Sequence, residues 1–224
     1  MSPSAAIRVL VEQYPGRFSA ELGIDLSEGT SHEIFKWLLA SVLFGARISG
    51  SIVKKTFQQF VSRNVVTPGA ILDTGWDSLV KILDEGGYVR YDFKTATKFL
   101  DLCRTLTDDY HADLAILHAA AADPDDLEQR IKSLAKGIGD VTVNIFLREM
   151  RGIWKKADPL PSDLVVMAAR HRNIIPKSVK DGRKVLELLR EAWKKAGMKQ
   201  RNFPDFEAAL VRAGIELRRG RRRK

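Results

Sequence analysis

The sequence predicts an all-helical protein, and three observations carry that prediction. Apolar residues recur at helical spacing over nearly the whole chain. Helix start signals built on Ser, Thr, Asp and Pro punctuate the pattern. Strand signals are weak, with no sustained alternation and no Asn-Gly or Asp-Gly turn between β-branched runs.

The elements follow in order. His32 to Phe44 places Ile34, Leu38 and Val42 on one broad apolar face, with Ser31 as the expected N-cap, so this helix belongs at the centre of a core. Ile52 to Val61 is amphipathic, with Lys54 and Lys55 outward. Thr67-Pro68 is a cap followed by a first-turn proline. Trp76 to Leu83 reads as a short helix stopped by Gly86-Gly87. Asp92 is placed to cap a longer helix from Lys94 to about Leu106. Leu114 to Ala121, with Asp113 as cap, and Pro124 to Leu134 are two more. Asp140 to Met150, Pro161 to Arg172, Ser178 to Ala196 and Phe203 to Ala213 complete the set. Asp181-Gly182 falls inside one of these patterns and marks an irregular turn or a weak spot.

Composition bounds the function classes. The 224 residues suffice for one large domain or two small ones. At 45% apolar and 29% charged, the chain has an ordinary soluble composition. No apolar run approaches the roughly 20 residues that span a bilayer, and no charged region precedes an apolar core at the start, so neither a membrane span nor a secretory signal is expected. Cys103 is the only cysteine, which excludes an intramolecular disulfide, a Cys-rich zinc site and a four-cysteine iron–sulfur cluster. A cytoplasmic location, with nucleoid association in a prokaryote, fits this composition. His32, His111, His118 and His171 show no metal-ligand spacing.

The net charge is +9, and its distribution matters more than its size. Arg218 to Lys224 carries six basic residues and no acid, and without it the excess is +3. This tail reads either as a disordered arm for nucleic-acid phosphates or as a solvated charge run. Residues 31–150 look self-contained. Residues 1–30 with 151–217 form the second expected domain, and 218–224 the tail.

Leu134-Ala-Lys-Gly-Ile-Gly-Asp-Val-Thr-Val143 is the most informative stretch. Gly137 and Gly139 permit a tight turn between two helices and let an anion approach the backbone closely. The unpaired N–H groups that open the next helix point at that anion. Ile138 anchors the turn, and Thr142 can bond back within it. Carbonyls at Gly137 and Gly139 could also hold a monovalent cation, K+ or Na+. Alone, such a Gly-x-Gly is more often simply a turn. Leu160-Pro-Ser-Asp163 places a carboxylate 24 residues after Gly139, as a helix N-cap or as a chemical group. Asp158 is a rival carboxylate in the same loop.

Gly-Ile-Gly-x-x-Thr, an apolar helix and then Leu-Pro-Ser-Asp together resemble the helix-hairpin-helix DNA glycosylase superfamily, in both its endonuclease III and 3-methyladenine glycosylase branches. Leu39 to Ser49 is similar to the family's early helix and base-stack-probing loop. Gly87 to Ala96 resembles, loosely, its Gly-aromatic-spacer-Lys-Ala segment. The resemblance covers about residues 32 to 172. It implies a two-domain all-helical fold with double-stranded DNA containing a damaged base bound across a cleft, and the target nucleotide flipped into a pocket. It assigns Asp163 as the catalytic carboxylate, and Lys136, Gly137, Ile138, Gly139, Val141 and Thr142 to DNA binding. Arg47 would fill the gap left by the base or contact phosphate, and Ile48 would wedge between base steps, unless both are ordinary helix-end residues. Phe44, Tyr88, Tyr91 and Trp154 are candidates to stack on the extruded base, although aromatics at helical spacing are more often core.

Two departures narrow the expectation. Bifunctional members carry a nucleophilic lysine two residues after the second hairpin glycine, where this chain has Val141. The iron–sulfur cysteines of the endonuclease III branch are absent. The resemblance therefore implies a monomeric, monofunctional base-excision repair hydrolase without cofactor or lyase activity, with alkylated purines as first substrate. The alternative is a non-catalytic protein that recognises DNA damage or structure with the same hairpin.

Overall fold

The computed structural model describes residues 2–222, with side-chain surroundings through Gly220. It is helical throughout. Among the described residues there is no β-strand, only an isolated bridge between Arg151 and Trp154. The elements are α1 (Pro3–Gln13), α2 (Phe18–Glu21), α3 (Ser31–Phe44), α4 (Gly50–Ser62), α5 (Pro68–Glu85), α6 (Asp92–Tyr110) and α7 (Leu114–Ala120). They continue with α8 (Pro124–Ser133), α9 (Asp140–Met150), α10 (Asp163–His171), α11 (Gly182–Lys195), a 3-10 turn at Gln200–Asn202, and α12 (Phe203–Arg222). No described helix is long and apolar enough to cross a membrane.

The chain divides into two compact units. One runs from Leu22 to Asp158. The other combines the described residues up to Glu21 with those from Pro159 onward. Residues 22–30 and 151–158, grouped with the terminal segments on sequence grounds, pack here with residues 31–150. Ile24, Leu26 and Trp154 are buried, and the Asp25 N–H donates to Glu33 of α3 at 2.9 Å.

In the 22–158 unit, α3 is the central element. Nine consecutive or near-consecutive residues from Ile34 to Leu43 are buried, more than one face of a helix, so α3 is surrounded rather than half covered. It packs on α4, α7 and α9. Trp37 is fully buried, and its indole N–H donates to the Phe146 carbonyl at 3.1 Å, tying α3 to α9. A buried indole of this kind is worth about 3–5 kcal/mol against alanine. The α5 and α6 pair closes the other side, with Phe60 of α4 edge-on to Phe99 of α6 at 5.6 Å.

The other unit is built on a separate cluster of Ile7, Leu10, Val165, Leu186, Leu189, Trp193, Phe206 and Leu210. Trp193 stacks on Phe206 at 5.2 Å. Gly214 lets α12 approach α10 so closely that a Cβ there would stand 2.5 Å from the Leu164 carbonyl oxygen. The N-terminal segment is fastened by Arg212, whose guanidinium lies 4.2 Å over the Phe18 ring and donates to the Gly16 carbonyl at 2.9 Å.

Several elements differ from expectation. The helix α1 is absent from the sequence reading, yet Ser2 caps it through the Ala5 N–H and Pro3 opens it. The N-cap of α3 is Thr30, one residue before Ser31. The helix start expected at Thr67-Pro68 and the helix expected from Trp76 are joined in α5 across a kink at Gly75, whose φ is +72°. Tyr91, not Asp92, occupies the N-cap position of α6. Asp181-Gly182 is neither an irregular turn nor a weak spot within a helix. Asp181 caps α11 by accepting from the Lys184 N–H at 2.7 Å, and Gly182 is its first residue. The basic tail is not a disordered arm as far as Arg222, because α12 continues through it. Arginine is a good helix former, and extending an existing helix is easier than starting one. Arg223 and Lys224 lie outside the described residues.

Candidate functional site

The hairpin is formed by α8, a turn at residues 134–139, and α9. Asp123 caps α8 through the Asp126 N–H at 2.9 Å, and Leu127, Ile131 and Leu134 give it a buried face. Leu134, Ala135 and Ile138 carry that apolar surface into the turn, leaving Lys136, Gly137 and Gly139 exposed. The turn closes with the Ile138 N–H donating to the Ala135 carbonyl at 3.1 Å. Gly137 has φ +90°, a conformation that a side chain resists. Gly139 is the N-cap of α9 and brings no side chain to satisfy the helix. The first backward bond of α9 runs from the Val143 N–H to the Gly139 carbonyl at 3.1 Å. The N–H groups of Asp140, Val141 and Thr142 precede it and carry the positive end of the helix dipole. A cation at Gly139 would share that carbonyl with the Val143 N–H.

Charge around the turn is basic. Asp140 is 88% exposed, and Lys132 of α8 bridges it at 2.6 Å, which offsets the one acid at the mouth of the hairpin. Lys136 is exposed. Lys98 of α6 supplies a further cation that the sequence reading did not single out. A Cβ placed on Gly137 would lie 3.2 Å from Lys98 Cε and 3.5 Å from Nζ. Among the described residues the Lys98 ammonium makes no hydrogen bond or ion pair. Burial pulls its pKa below the ordinary lysine value.

The remaining expected DNA contacts separate by burial. Ile138 is 5% exposed and holds the turn from inside, so it is an anchor and not a contact surface. Val141 is 63% exposed on the first turn of α9. Thr142 is buried and faces inward, where a Cβ on Gly45 would stand 2.1 Å from its Oγ1. The Thr142 side chain therefore packs α9 against the end of α3 and is not available to a ligand. The same contact sets the loop after Gly45 beside α9. That loop carries exposed Arg47 and partly exposed Ile48, with the Ile48 N–H bonded to the Ala46 carbonyl at 2.9 Å.

Of the four candidate stacking aromatics, two are core. Tyr88 is fully buried and donates its hydroxyl to the Leu43 carbonyl at 2.7 Å. Trp154 is buried between His118, stacked at 4.8 Å, and the edge of Phe146 at 5.4 Å. Neither presents a face to an extruded base. Phe44 and Tyr91 are partly exposed, Phe44 tilted against Trp37 and Tyr91 under the Arg90 guanidinium.

The two loop carboxylates have different surroundings. Asp158 accepts from Arg151 Nη1 at 2.6 Å, and the Arg151 side chain is 5% exposed. Asp158 thus compensates a buried guanidinium, a structural duty. Asp163 belongs to the other unit and is exposed. It is not the helix N-cap: Ser162 takes that position, and its carbonyl accepts from the Val166 N–H at 3.0 Å. Asp163 is the first residue of α10, and its carboxylate has no partner among the described residues. Among those residues no group of three or more His, Cys, Asp or Glu could hold a metal ion. Cys103 is buried in α6, and burial pushes its thiol up to about 12, far from thiolate chemistry.

Comparison with known proteins leaves the argument with the geometry, since no family model and no curated protein matches the chain.

Proposed function

We propose that this chain is a monofunctional DNA N-glycosylase of the helix-hairpin-helix type, acting in base-excision repair with Asp163 as its catalytic carboxylate. What supports the reading is that one chain carries both features: an exposed, uncapped glycine hairpin in the 22–158 unit and, in the other unit, an exposed carboxylate that has no partner among the described residues. The hairpin offers backbone N–H groups and nearby lysines to a phosphate of double-stranded DNA. The target nucleotide leaves the base stack before reaction. The C1′–N bond then breaks, and its electron pair departs with the base. Positive charge develops on the sugar, as in other oxocarbenium-like reactions. Asp163 stabilises that charge, and takes the proton of the water whose oxygen bonds to C1′. An alkylated purine is the first substrate proposed, because a cationic base departs readily. Val141 stands where bifunctional relatives place a lysine, so the reaction stops at base release. A K+ or Na+ at the hairpin carbonyls would assist phosphate binding only.

A second reading, a non-catalytic DNA damage- or structure-binding protein, is favoured by one observation. Tyr88 and Trp154 are committed to the core, which leaves Phe44 and Tyr91 as the only stacking candidates from that set. The experiment that separates the readings is incubation with alkylated, oxidised and deaminated genomic DNA, followed by mass spectrometry of released bases. Release that disappears in Asp163→Asn with DNA binding retained supports the enzyme. No release by the wild type, with tight binding to abasic or mismatched duplexes, supports the binding protein.

A further inference from the structure

We infer that Lys98 is the cation of the hairpin's phosphate contact, its ammonium bonding an oxygen of the same DNA phosphodiester that the backbone N–H groups of the hairpin hold. This rests on the DNA-binding reading above and deepens it, assigning a contact to a helix outside the hairpin itself.

Three observations carry it. First, the Lys98 stem lies where a side chain at residue 137 would be, with Cε 3.2 Å and Nζ 3.5 Å from that Cβ position. Glycine at 137 thus serves two ends: it permits φ +90°, and it leaves room for a lysine from α6 at the turn. Second, the ammonium has no protein partner among the described residues although the side chain is half buried. A partly desolvated cation without a counter-charge is costly, and an anionic ligand removes that cost. Burial that weakens its hold on the proton is the same cost seen from another side. Third, the acid at the mouth of the hairpin, Asp140, is drawn to Lys132 at 2.6 Å.

Lys98 also differs from Lys136, the basic residue within the turn. Lys136 is exposed and loses rotamer freedom on binding, whereas packing against Gly137 already restrains Lys98. A diffuse phosphodiester anion held by several N–H groups suits a compact ammonium that adds one charge-assisted bond.

The test is fluorescence anisotropy of the full chain with a duplex carrying a tetrahydrofuran abasic analogue, titrated across NaCl concentrations. Each phosphate neutralised contributes about 0.9 to the slope of log affinity against log salt. Lys98→Met keeps the aliphatic stem and should shallow that slope by about one, with weakening that does not depend on sequence. Lys98→Arg should restore the slope, which a purely structural role would not predict. Thermal denaturation of each variant confirms that it is folded. A wild-type slope and affinity in a folded Lys98→Met protein overturns the inference while leaving the DNA-binding reading intact. A wild-type protein without salt-dependent DNA affinity overturns the DNA-binding reading, and the inference with it.

Discussion

Asp158 and Asp163 lie five residues apart in one loop-to-helix segment, yet their surroundings differ, and a pair of substitutions tests the different duties proposed for them. Asp163 is exposed at the first turn of α10 and has no partner among the described residues. Asp163→Asn removes only a favourable charge–dipole term, so folding stability should fall by less than about 1 kcal/mol. Its proposed chemistry is worth far more. A positioned acid–base group contributes about 10²–10⁴-fold, or roughly 2.7–5.4 kcal/mol of barrier. Asp158→Ala does the reverse. It strips the carboxylate from Arg151, whose side chain is 5% exposed, across a 2.6 Å contact. Breaking a buried pair on one side costs about 3–5 kcal/mol. Because Asp158 retains 24% exposure, the lower end, about 3 kcal/mol, is expected. Urea denaturation and base release from damaged genomic DNA, run on both variants, give a crossed pattern. Asp163→Asn should be stable and inactive. Asp158→Ala should be unstable yet active at temperatures where it remains folded. Undiminished base release by Asp163→Asn would refute the catalytic assignment. A stable Asp158→Ala would refute the ion-pair argument.

Three further outcomes are expected. Gly214→Ala gains about 1 kcal/mol of helix propensity but forces a Cβ to within 2.5 Å of the Leu164 carbonyl oxygen. The net effect should be destabilisation by about 1–3 kcal/mol in urea titration, and an unchanged or higher midpoint would contradict the packing of α12 on α10. Cys103 should resist iodoacetamide at pH 8 in the native protein and react once urea is added. Its thiol is raised from 9.0 to about 12, so between those values the unfolded chain loses the proton and the folded chain keeps it. Stability should therefore fall with rising pH above 9, by up to about 1.4 kcal/mol per pH unit from this group, and that increment should vanish in Cys103→Ala. Val141→Lys, at a position 63% exposed, should change stability by less than about 0.5 kcal/mol. Borohydride should trap this variant on abasic DNA and leave the wild type uncoupled. A wild-type adduct would overturn the monofunctional proposal.

Much of the local structure was legible because its causes are local. Thr67-Pro68 and Asp113 are caps in the structure as in the sequence, and Gly137-Ile-Gly139 opens α9 at Asp140. The same local logic operates at Ser2-Pro3 and at Asp181-Gly182. In the first, Ala6, Ile7 and Leu10 follow the cap at helical spacing and are buried. In the second, the charged run after it hid the helix start. The aromatics were not legible. Tyr88 and Tyr91 are three residues apart between α5 and α6, yet only Tyr88 is sealed, because its hydroxyl reaches the Leu43 carbonyl on α3. Periodicity indicates which faces are apolar and not what covers them.

The sequence by itself determined the all-helical class, the hairpin and its glycines, and the lone cysteine. These follow from helix period, capping chemistry and the residue types present, all of them local. Only the tertiary structure decided which carboxylate is committed to an arginine and which is open, that Thr142 faces inward onto Gly45, and that Lys98 lies against Gly137. Each of these depends on which helices pack together, and close packing brings side chains into contact without regard to their separation along the chain.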